Sequence, residues 1–162
     1  MLSKLFKKEK LHIYTPVNGK VIAIEDVDDP VFSGKMMGEG IAVMPSGGDI
    51  YAPADGTVVQ VAPTKHAIGI QTEDGTELLI HVGLETVSLK GEGFSVAVQA
   101  GEKVKVGDLL MKVDWDYIRA HAKSTIIPLV ITNSQEGNKE FHFSAEIEGT
   151  AGKTVLITAV AK

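Results

Sequence analysis

Short apolar runs recur along most of this chain, and turn-forming residues separate them at close intervals. The turn signals are Asn18-Gly19, Ser46-Gly47-Gly48, Asp55-Gly56, Asp74-Gly75 and Gly107-Asp108. Runs predicted as strands lie at 11–14, 19–23, 40–45, 49–51, 56–61, 67–71, 77–82, 94–98, 109–113, 126–131 and 155–160. Closely spaced strands without helices between them are typical of an all-β sandwich or barrel rather than of alternating βα units.

One segment departs from this pattern. Residues 114–123 begin with Asp114, an acidic N-cap candidate, carry Ile118 and Ala122 four positions apart, and end near His121 and Lys123. This pattern predicts a single short helix. The polar segment at 134–139 is expected to be a loop, and no composition break divides the chain.

Composition narrows the class of protein. The 162 residues are 44% hydrophobic and 23% charged, and they include 17 glycines and no cysteine. The length and hydrophobic content fit one globular domain with a sizeable core. The absence of cysteine excludes disulfides, thiolate metal sites and a thiol nucleophile within the chain. No apolar run approaches the roughly 20 residues that a membrane helix needs, and the start of the chain lacks the apolar stretch of a signal peptide. We therefore expect a soluble cytoplasmic protein.

Charge is distributed unevenly. The net charge is −5, but the first ten residues carry +3, which leaves −8 on the remainder. Residues 1–10 are expected to form a flexible basic tail, and its Leu2, Leu5 and Phe6 could give weak contact with a membrane surface. The acidic remainder argues against nucleic acid as a partner and favours a basic protein.

The candidate chemistry lies in a hairpin that carries His66 and His81 at its ends. Thr64 stands two residues before the first histidine, and Gly83 stands two residues after the second. His81 interrupts an otherwise apolar run, where an unpaired polar ring would be costly. His12, His121 and His142 are expected to be surface or structural residues.

The turn decides whether the two histidines meet. A two-residue turn at Asp74-Gly75 would place His66 opposite Gly83 and His81 opposite Ile68. Both rings would then project from one face as diagonal neighbours, with Cβ atoms about 7–8 Å apart. A slip of one residue would send them to opposite faces.

Phosphohistidine chemistry suits this pair better than the alternatives. A neutral imidazole offers a lone pair to phosphorus, and a second imidazole can stabilise the phosphoryl oxygens. Thr64 and the Gly83 carbonyl stand where they could fix which ring nitrogen faces the phosphorus. A resident metal site needs three or four ligands, a serine hydrolase elbow is absent, and no Walker-type phosphate loop occurs.

Several segments together resemble the glucose-type enzyme IIA of the bacterial phosphoenolpyruvate:sugar phosphotransferase system. The segment at 75–87, GTELLIHVGLETV, is similar to the active-site signature of that family. Further similar segments lie at 38–43, 52–58, 89–94, 104–108 and 123–125, so that the resemblance extends over residues 11–160.

The resemblance implies a single antiparallel β-sandwich or flattened barrel at 11–162, with one or two short helical segments. It implies that His81 accepts a phosphoryl group on Nε2 from the phosphocarrier HPr and passes it to a cysteine of an enzyme IIB domain. It also implies that His66 stabilises the phosphoryl group, that Thr64 supports His66, and that the Gly83 carbonyl holds the His81 ring. No cofactor is expected, although zinc could bridge the two histidines in a complex with a partner.

A docking rim is a further implication of the resemblance. Its predicted apolar members are Phe32, Met36, Met37 and Val87, and its acidic members, which would meet the basic surface of HPr, are Asp29 and Glu85. Glu85 stands where many family members have aspartate. The alternative for Phe32 and the two methionines is a place in the core.

Two other functions remain as alternatives. One is a regulatory protein that binds transporters or kinases through the same face, with phosphorylation as its switch. The other is a zinc peptidase, which the absence of a His-X-His pair disfavours.

Overall fold

The computed structural model of this chain describes residues 10–162, so the predicted basic tail lies outside the described residues except for Lys10. Its helices are α1 (Pro30–Ser33) and α2 (Trp115–His121), and single 3-10 turns occupy Ile24–Asp26, Val87–Leu89 and Ser134–Glu136. The strands are β1 (Lys10–Tyr14), β2 (Asn18–Ala23), β3 (Glu39–Gly47), β4 (Ile50–Tyr51), β5 (Gly56–Val61), β6 (Ala67–Gln71), β7 (Glu77–His81), β8 (Phe94–Val96), β9 (Lys103–Val104), β10 (Leu109–Val113), β11 (Ile127–Ile131), β12 (Lys139–Phe143), β13 (Glu148–Gly149) and β14 (Val155–Ala161). The predicted all-β class is confirmed.

Three antiparallel sheets build the molecule. An eight-stranded sheet has the order β13-β2-β3-β11-β7-β6-β5-β9, and the two smaller sheets have the orders β1-β14-β12 and β4-β10-β8. Among residues 10–162, no helix is long and apolar enough to cross a membrane.

Side-chain alternation on the large sheet creates two apolar layers. Along β7, Leu78 and Ile80 point inward to a large cluster that also holds residues of both small sheets. Leu79 lies on the opposite, outer face, where a second cluster forms beneath α1. The buried members of this outer cluster are Ile24, Val27, Phe32, Ala42, Leu84, Ile126 and Val130. Because alternation also places His81 on this outer face, the second cluster forms the floor beside the candidate site.

The predicted elements agree closely with those observed. Each predicted strand is present within two residues at either end, and the predicted helix is α2, whose N-cap Asp114 accepts a hydrogen bond from the Tyr117 backbone N–H at 3.2 Å. The loop prediction at 134–139 is wrong in part, because Ser134–Glu136 forms a 3-10 turn and β12 begins at Lys139.

The predicted register of the β6–β7 hairpin is wrong by one residue. Ala67 pairs with His81 and Gln71 pairs with Glu77, and the Thr72 N–H donates to the Thr76 carbonyl at 2.9 Å. The loop at 73–75 therefore contains three residues instead of two. The Asp74 carboxylate accepts hydrogen bonds from the Thr72 hydroxyl and the Thr76 backbone N–H, and these bonds close the longer loop. Gly75 then occupies the left-handed region at φ 86°, as is usual for the last residue of such a loop.

Two glycine substitutions test how tightly the central sheet is packed. A Cβ on Gly40 would stand 2.4 Å from the Leu129 carbonyl oxygen, whereas a Cβ on Gly75 meets no atom within 4 Å. Gly40→Ala should therefore lower the free energy of unfolding by about 3 kcal/mol through overpacking. Gly75→Ala should lower it by only about 1 kcal/mol through its positive φ. Urea unfolding of both variants checks this, and equal losses would contradict the packing argument.

Candidate active site

The rings of His66 and His81 lie against each other on the outer face of the large sheet. Their centroids are 4.8 Å apart and their planes are inclined by 76°. The two rings are therefore neighbours, as predicted, but the predicted hairpin register is not the reason. In the observed register a regular strand would send His66 to the inner face.

The backbone before β6 provides the actual reason. His66 precedes the first residue of β6, and Lys65 before it adopts a left-handed conformation with φ 63°. The His66 carbonyl still accepts a hydrogen bond from the Val82 backbone N–H at 2.7 Å. The hairpin thus stays closed here while the side chain leaves the strand alternation.

A hydrogen bond fixes the tautomer of His81. Its Nδ1 lies 2.8 Å from the carbonyl oxygen of Gly83. A carbonyl oxygen can only accept, so Nδ1 must carry the hydrogen. In the neutral ring Nε2 then holds the free lone pair.

Thr64 orients the second ring. Its hydroxyl oxygen lies 2.6 Å from His66 Nδ1, and the His66 residue is only 9% exposed. When the hydroxyl donates this bond, the His66 Nε2 carries a hydrogen and becomes a donor.

The position of Gly83 can hold only glycine. Its φ is 81°, and an added Cβ would lie 2.6 Å from the Thr86 methyl carbon and 3.0 Å from the Ser124 carbonyl oxygen. The Gly83 N–H donates to the Ile126 carbonyl at 3.0 Å, which ties the turn to the chain before β11.

Thr86 is a residue that the sequence prediction missed. It is fully buried, and its hydroxyl donates to the Val82 carbonyl at 2.8 Å while its methyl group packs against Gly83. It therefore holds the turn that presents the Gly83 carbonyl to His81. A threonine in a short turn has no periodic signal, and only its fixed distance after Gly83 could have drawn attention to it.

The short helix α1 covers one side of His81. The Phe32 ring lies 5.0 Å from the His81 ring in an edge-to-face contact at 62°. Asp29 caps α1, since its carboxylate accepts a hydrogen bond from the Val31 backbone N–H at 3.0 Å. The helix thus places an aromatic wall and one carboxylate near the histidine pair.

These surroundings keep both rings neutral near pH 7. Burial lowers the pKa of His81 to about 4, helped by the neighbouring His66 and opposed by the Gly83 hydrogen bond and by Asp29. Burial also lowers the pKa of His66, against an opposing effect of a hydrogen bond to the Thr64 backbone. A lone pair on His81 Nε2 is therefore available at neutral pH.

The predicted rim residues divide into buried and exposed groups. Phe32 is 4% exposed and belongs to the outer cluster, and Met37 packs against that cluster, so the core alternative describes these two side chains. Met36 is 74% exposed and Val87 is 58% exposed. Glu85 is exposed as well, and Asp29 is partly exposed.

The remaining histidines stand apart from the pair. His12, His121 and His142 are exposed, as predicted for surface positions. Nowhere between Lys10 and Lys162 do three or more histidine or acidic side chains form a group that could hold a metal ion. A groove of about 780 Å³, lined by residues such as Lys20, Phe141 and Ile147, contains neither His66 nor His81.

Comparison with known proteins identifies the family and the fold that this chain resembles. Residues 11–137 match the family model described as phosphoenolpyruvate-dependent sugar phosphotransferase system, EIIA 1. The glucose-specific EIIA component of Halalkalibacterium halodurans is 51% identical over 146 residues, which cover 90% of this chain and 84% of the relative. The glucose-specific EIICBA component of Staphylococcus carnosus is 55% identical over 145 residues, which cover 90% of this chain and 21% of that longer protein. The solved structure of glucose permease IIA from Mycoplasma capricolum superposes with a TM-score of 0.85 at 36% identity, covering 93% of this chain and 96% of that one.

The depressed pKa of His81 predicts a pH-dependent stability. The folded-state pKa is about 4, against an ordinary value of 6.5. Between these pH values the unfolded chain binds a proton at this position and the folded chain does not, so stability falls as the pH is lowered through the window. Urea unfolding at pH 7 and pH 4.5 should show a larger loss for the wild type than for His81→Gln. An NMR titration in which the His81 ring protonates near 6.5 would contradict this expectation.

Proposed function

This chain belongs to the family of EIIA 1 components of the phosphoenolpyruvate-dependent sugar phosphotransferase system, and we propose that it carries a phosphoryl group on His81 between two partner proteins. The donor is phosphorylated HPr and the acceptor is a cysteine of an enzyme IIB domain. The protein acts in the cytoplasm as one domain at 11–162, and it needs no cofactor for this step.

The hydrogen bond between His81 Nδ1 and the Gly83 carbonyl is the observation that carries this proposal. It leaves Nε2 unprotonated, so the ring can attack phosphorus without first losing a proton. The new bond joins Nε2 to phosphorus while the bond between phosphorus and the donor breaks. The ring becomes more positive as this happens, which strengthens the bond from Nδ1–H to the carbonyl oxygen.

His66 is suited to stabilise the phosphoryl group once it is on His81. Its ring is already in contact with His81, and in the tautomer whose Nδ1 accepts from the Thr64 hydroxyl, Nε2–H is free to donate. Phosphoryl transfer depends mainly on positioning and on charge stabilisation, and a buried, fixed donor supplies both.

Exposed groups next to α1 and in the segment after β7 support docking by other proteins. Met36 and Val87 offer apolar surface, while Asp29 and Glu85 add negative charge suited to a basic donor such as HPr. The relative from Staphylococcus carnosus is named an EIICBA component, and this chain matches about a fifth of that longer protein. The letter B in that name supports an EIIB domain as the acceptor.

The same surface favours a second, regulatory role. A phosphoryl group on His81 adds about −1.5 to −2 charge to the face on which the apolar Phe32 ring lies 5.0 Å from the His81 ring. Partners that bind this face through apolar contacts, such as transporters or kinases, should therefore prefer the unphosphorylated protein. Pull-downs with both forms would test this, and identical sets of captured partners would rule out a switch.

The two histidines should fail in different ways when replaced. With phosphoenolpyruvate, enzyme I and HPr, His81→Ala should accept no phosphoryl group, because the nucleophile is missing. His66→Gln should still be labelled, but it should pass the group to an EIIB domain about 100-fold more slowly, as expected for loss of one preorganised donor.

His142→Ala is the matched control, because His142 is an exposed histidine on the opposite small sheet. It should behave as the wild type in both steps. A wild-type protein that stays unlabelled, or a labelled His81→Ala variant, would overturn the proposal.

A further inference from the structure

His66 lies on the outer face of the large sheet, although strand alternation would place it on the inner face. The pairing of Ala67 with His81 puts these two residues on the outer face, and alternation then assigns position 66 to the inner face together with Ile68. Ile68 is indeed fully buried in the inner cluster. The His66 ring nevertheless lies 4.8 Å from the His81 ring, so something before β6 must turn it over.

The loop between β5 and β6 contains the residue that does this. The loop is closed by a hydrogen bond from the Ala62 N–H to the Ala67 carbonyl at 3.0 Å and contains a tighter turn from the Lys65 N–H to the Ala62 carbonyl at 2.8 Å. Lys65 then has φ 63°, the left-handed conformation, immediately before His66. A residue in the left-handed conformation bends the strand locally, which allows the next side chain to leave the strand alternation.

Lysine is an unfavourable choice for this conformation. Residues with a Cβ atom prefer negative φ, and glycine or asparagine usually occupies such positions. Four non-glycine residues between positions 10 and 162 have positive φ, and they are Lys35, Lys65, Glu85 and Lys90. Two of them, Lys65 and Glu85, stand within two residues of His66 and Gly83, the groups that form the candidate site.

The side chain of Lys65 lies against another loop. Lys65 is exposed, and its Cδ atom is 3.4 Å from the position of a Cβ on Gly91. The methylene groups thus lie beside the loop that contains Gly91, and the left-handed backbone of Lys65, rather than this side-chain contact, is the feature that bears on the position of His66.

We infer that Lys65 is a positioning residue whose left-handed backbone turns the His66 ring onto the face of His81. The geometric part of this inference stands on the unphosphorylated protein alone. Its consequence for onward phosphoryl transfer rests on the function proposed above.

A series of substitutions at position 65 separates the effect of the backbone conformation on His66 from the effect of the lysine side chain. Lys65→Gly and Lys65→Asn tolerate positive φ, and Lys65→Met keeps an unbranched stem without charge, so all three should preserve the arrangement. Lys65→Val places a β-branched residue where φ must be positive, and it should displace His66. Lys65→Thr, a second β-branched replacement, gives the same readout if the valine variant does not fold.

The first readout is NMR of the unphosphorylated protein. Ring-to-ring cross-relaxation between His66 and His81, and the ¹⁵N shift of His66 Nδ1 at its bond to Thr64, should be as in the wild type for Gly, Asn and Met and altered for Val. Lys35→Val is the matched control, since Lys35 has φ 58° and should lose similar stability without changing the His66 signals.

The second readout is transfer to an EIIB domain. Lys65→Val should accept the phosphoryl group on His81 but pass it on about tenfold more slowly, and Lys65→Asn should restore the wild-type rate. The inference fails if β-branched variants leave the His66 signals unchanged. It also fails if the Gly and Met variants are as impaired as the Val variant, because that result would assign the effect to the lysine side chain. Because the NMR result needs no phosphoryl transfer, it decides the geometry even if the proposed function is wrong.

Discussion

The hydrogen bond from His81 Nδ1 to the Gly83 carbonyl determines what this site can do, because it selects the nitrogen that keeps a lone pair. The turn after β7 is arranged to hold that carbonyl. The Gly83 N–H is bound to Ile126, the Thr86 hydroxyl closes the turn on Val82, and no Cβ fits at position 83. The acceptor is therefore fixed by backbone and by a buried side chain, and it needs no rearrangement when charge develops on the ring.

Burial of the His81 ring keeps the lone pair on Nε2 unprotonated at neutral pH. The outer cluster and the Phe32 ring withdraw His81 from water, which disfavours the charged imidazolium and lowers the pKa to about 4. Complete burial would be unsuitable for a group that, in the function proposed above, two proteins reach in turn. The cover is accordingly thin, since α1 has only four residues and Met36 beyond it is exposed. In the proposed function, a docking partner would complete the exclusion of water at the moment of transfer.

Local sequence patterns were sufficient for part of the site and for most of the strands, but β9, β12 and β13 are not among the predicted runs. Strand positions follow from apolar alternation and turn residues, and Thr64 and Gly83 stand at spacings that bring them to the histidine rings. The hairpin register could not be predicted, because it depends on side-chain hydrogen bonds of Asp74 that favour a three-residue loop. Helix α1 is too short to show a helical period, and neither the buried hydroxyl of Thr86 nor the positive φ of Lys65 leaves a mark in the sequence.

The error in the predicted register shows which part of this fold can adjust to position the two histidines. Ile68, Ile70, Leu78 and Ile80 all face the inner cluster, so the core fixes the β6–β7 pairing whatever the histidines require. A one-residue shift of β6 to suit His66 would turn Ile68 and Ile70 toward the outer face, at a far greater cost than one strained residue. The geometry of the pair must therefore be adjusted in the turns at the strand ends, and positive φ values stand there at Lys65, Gly83 and Glu85. The core sets the positions of the strands, and the turns adapt the histidines to them.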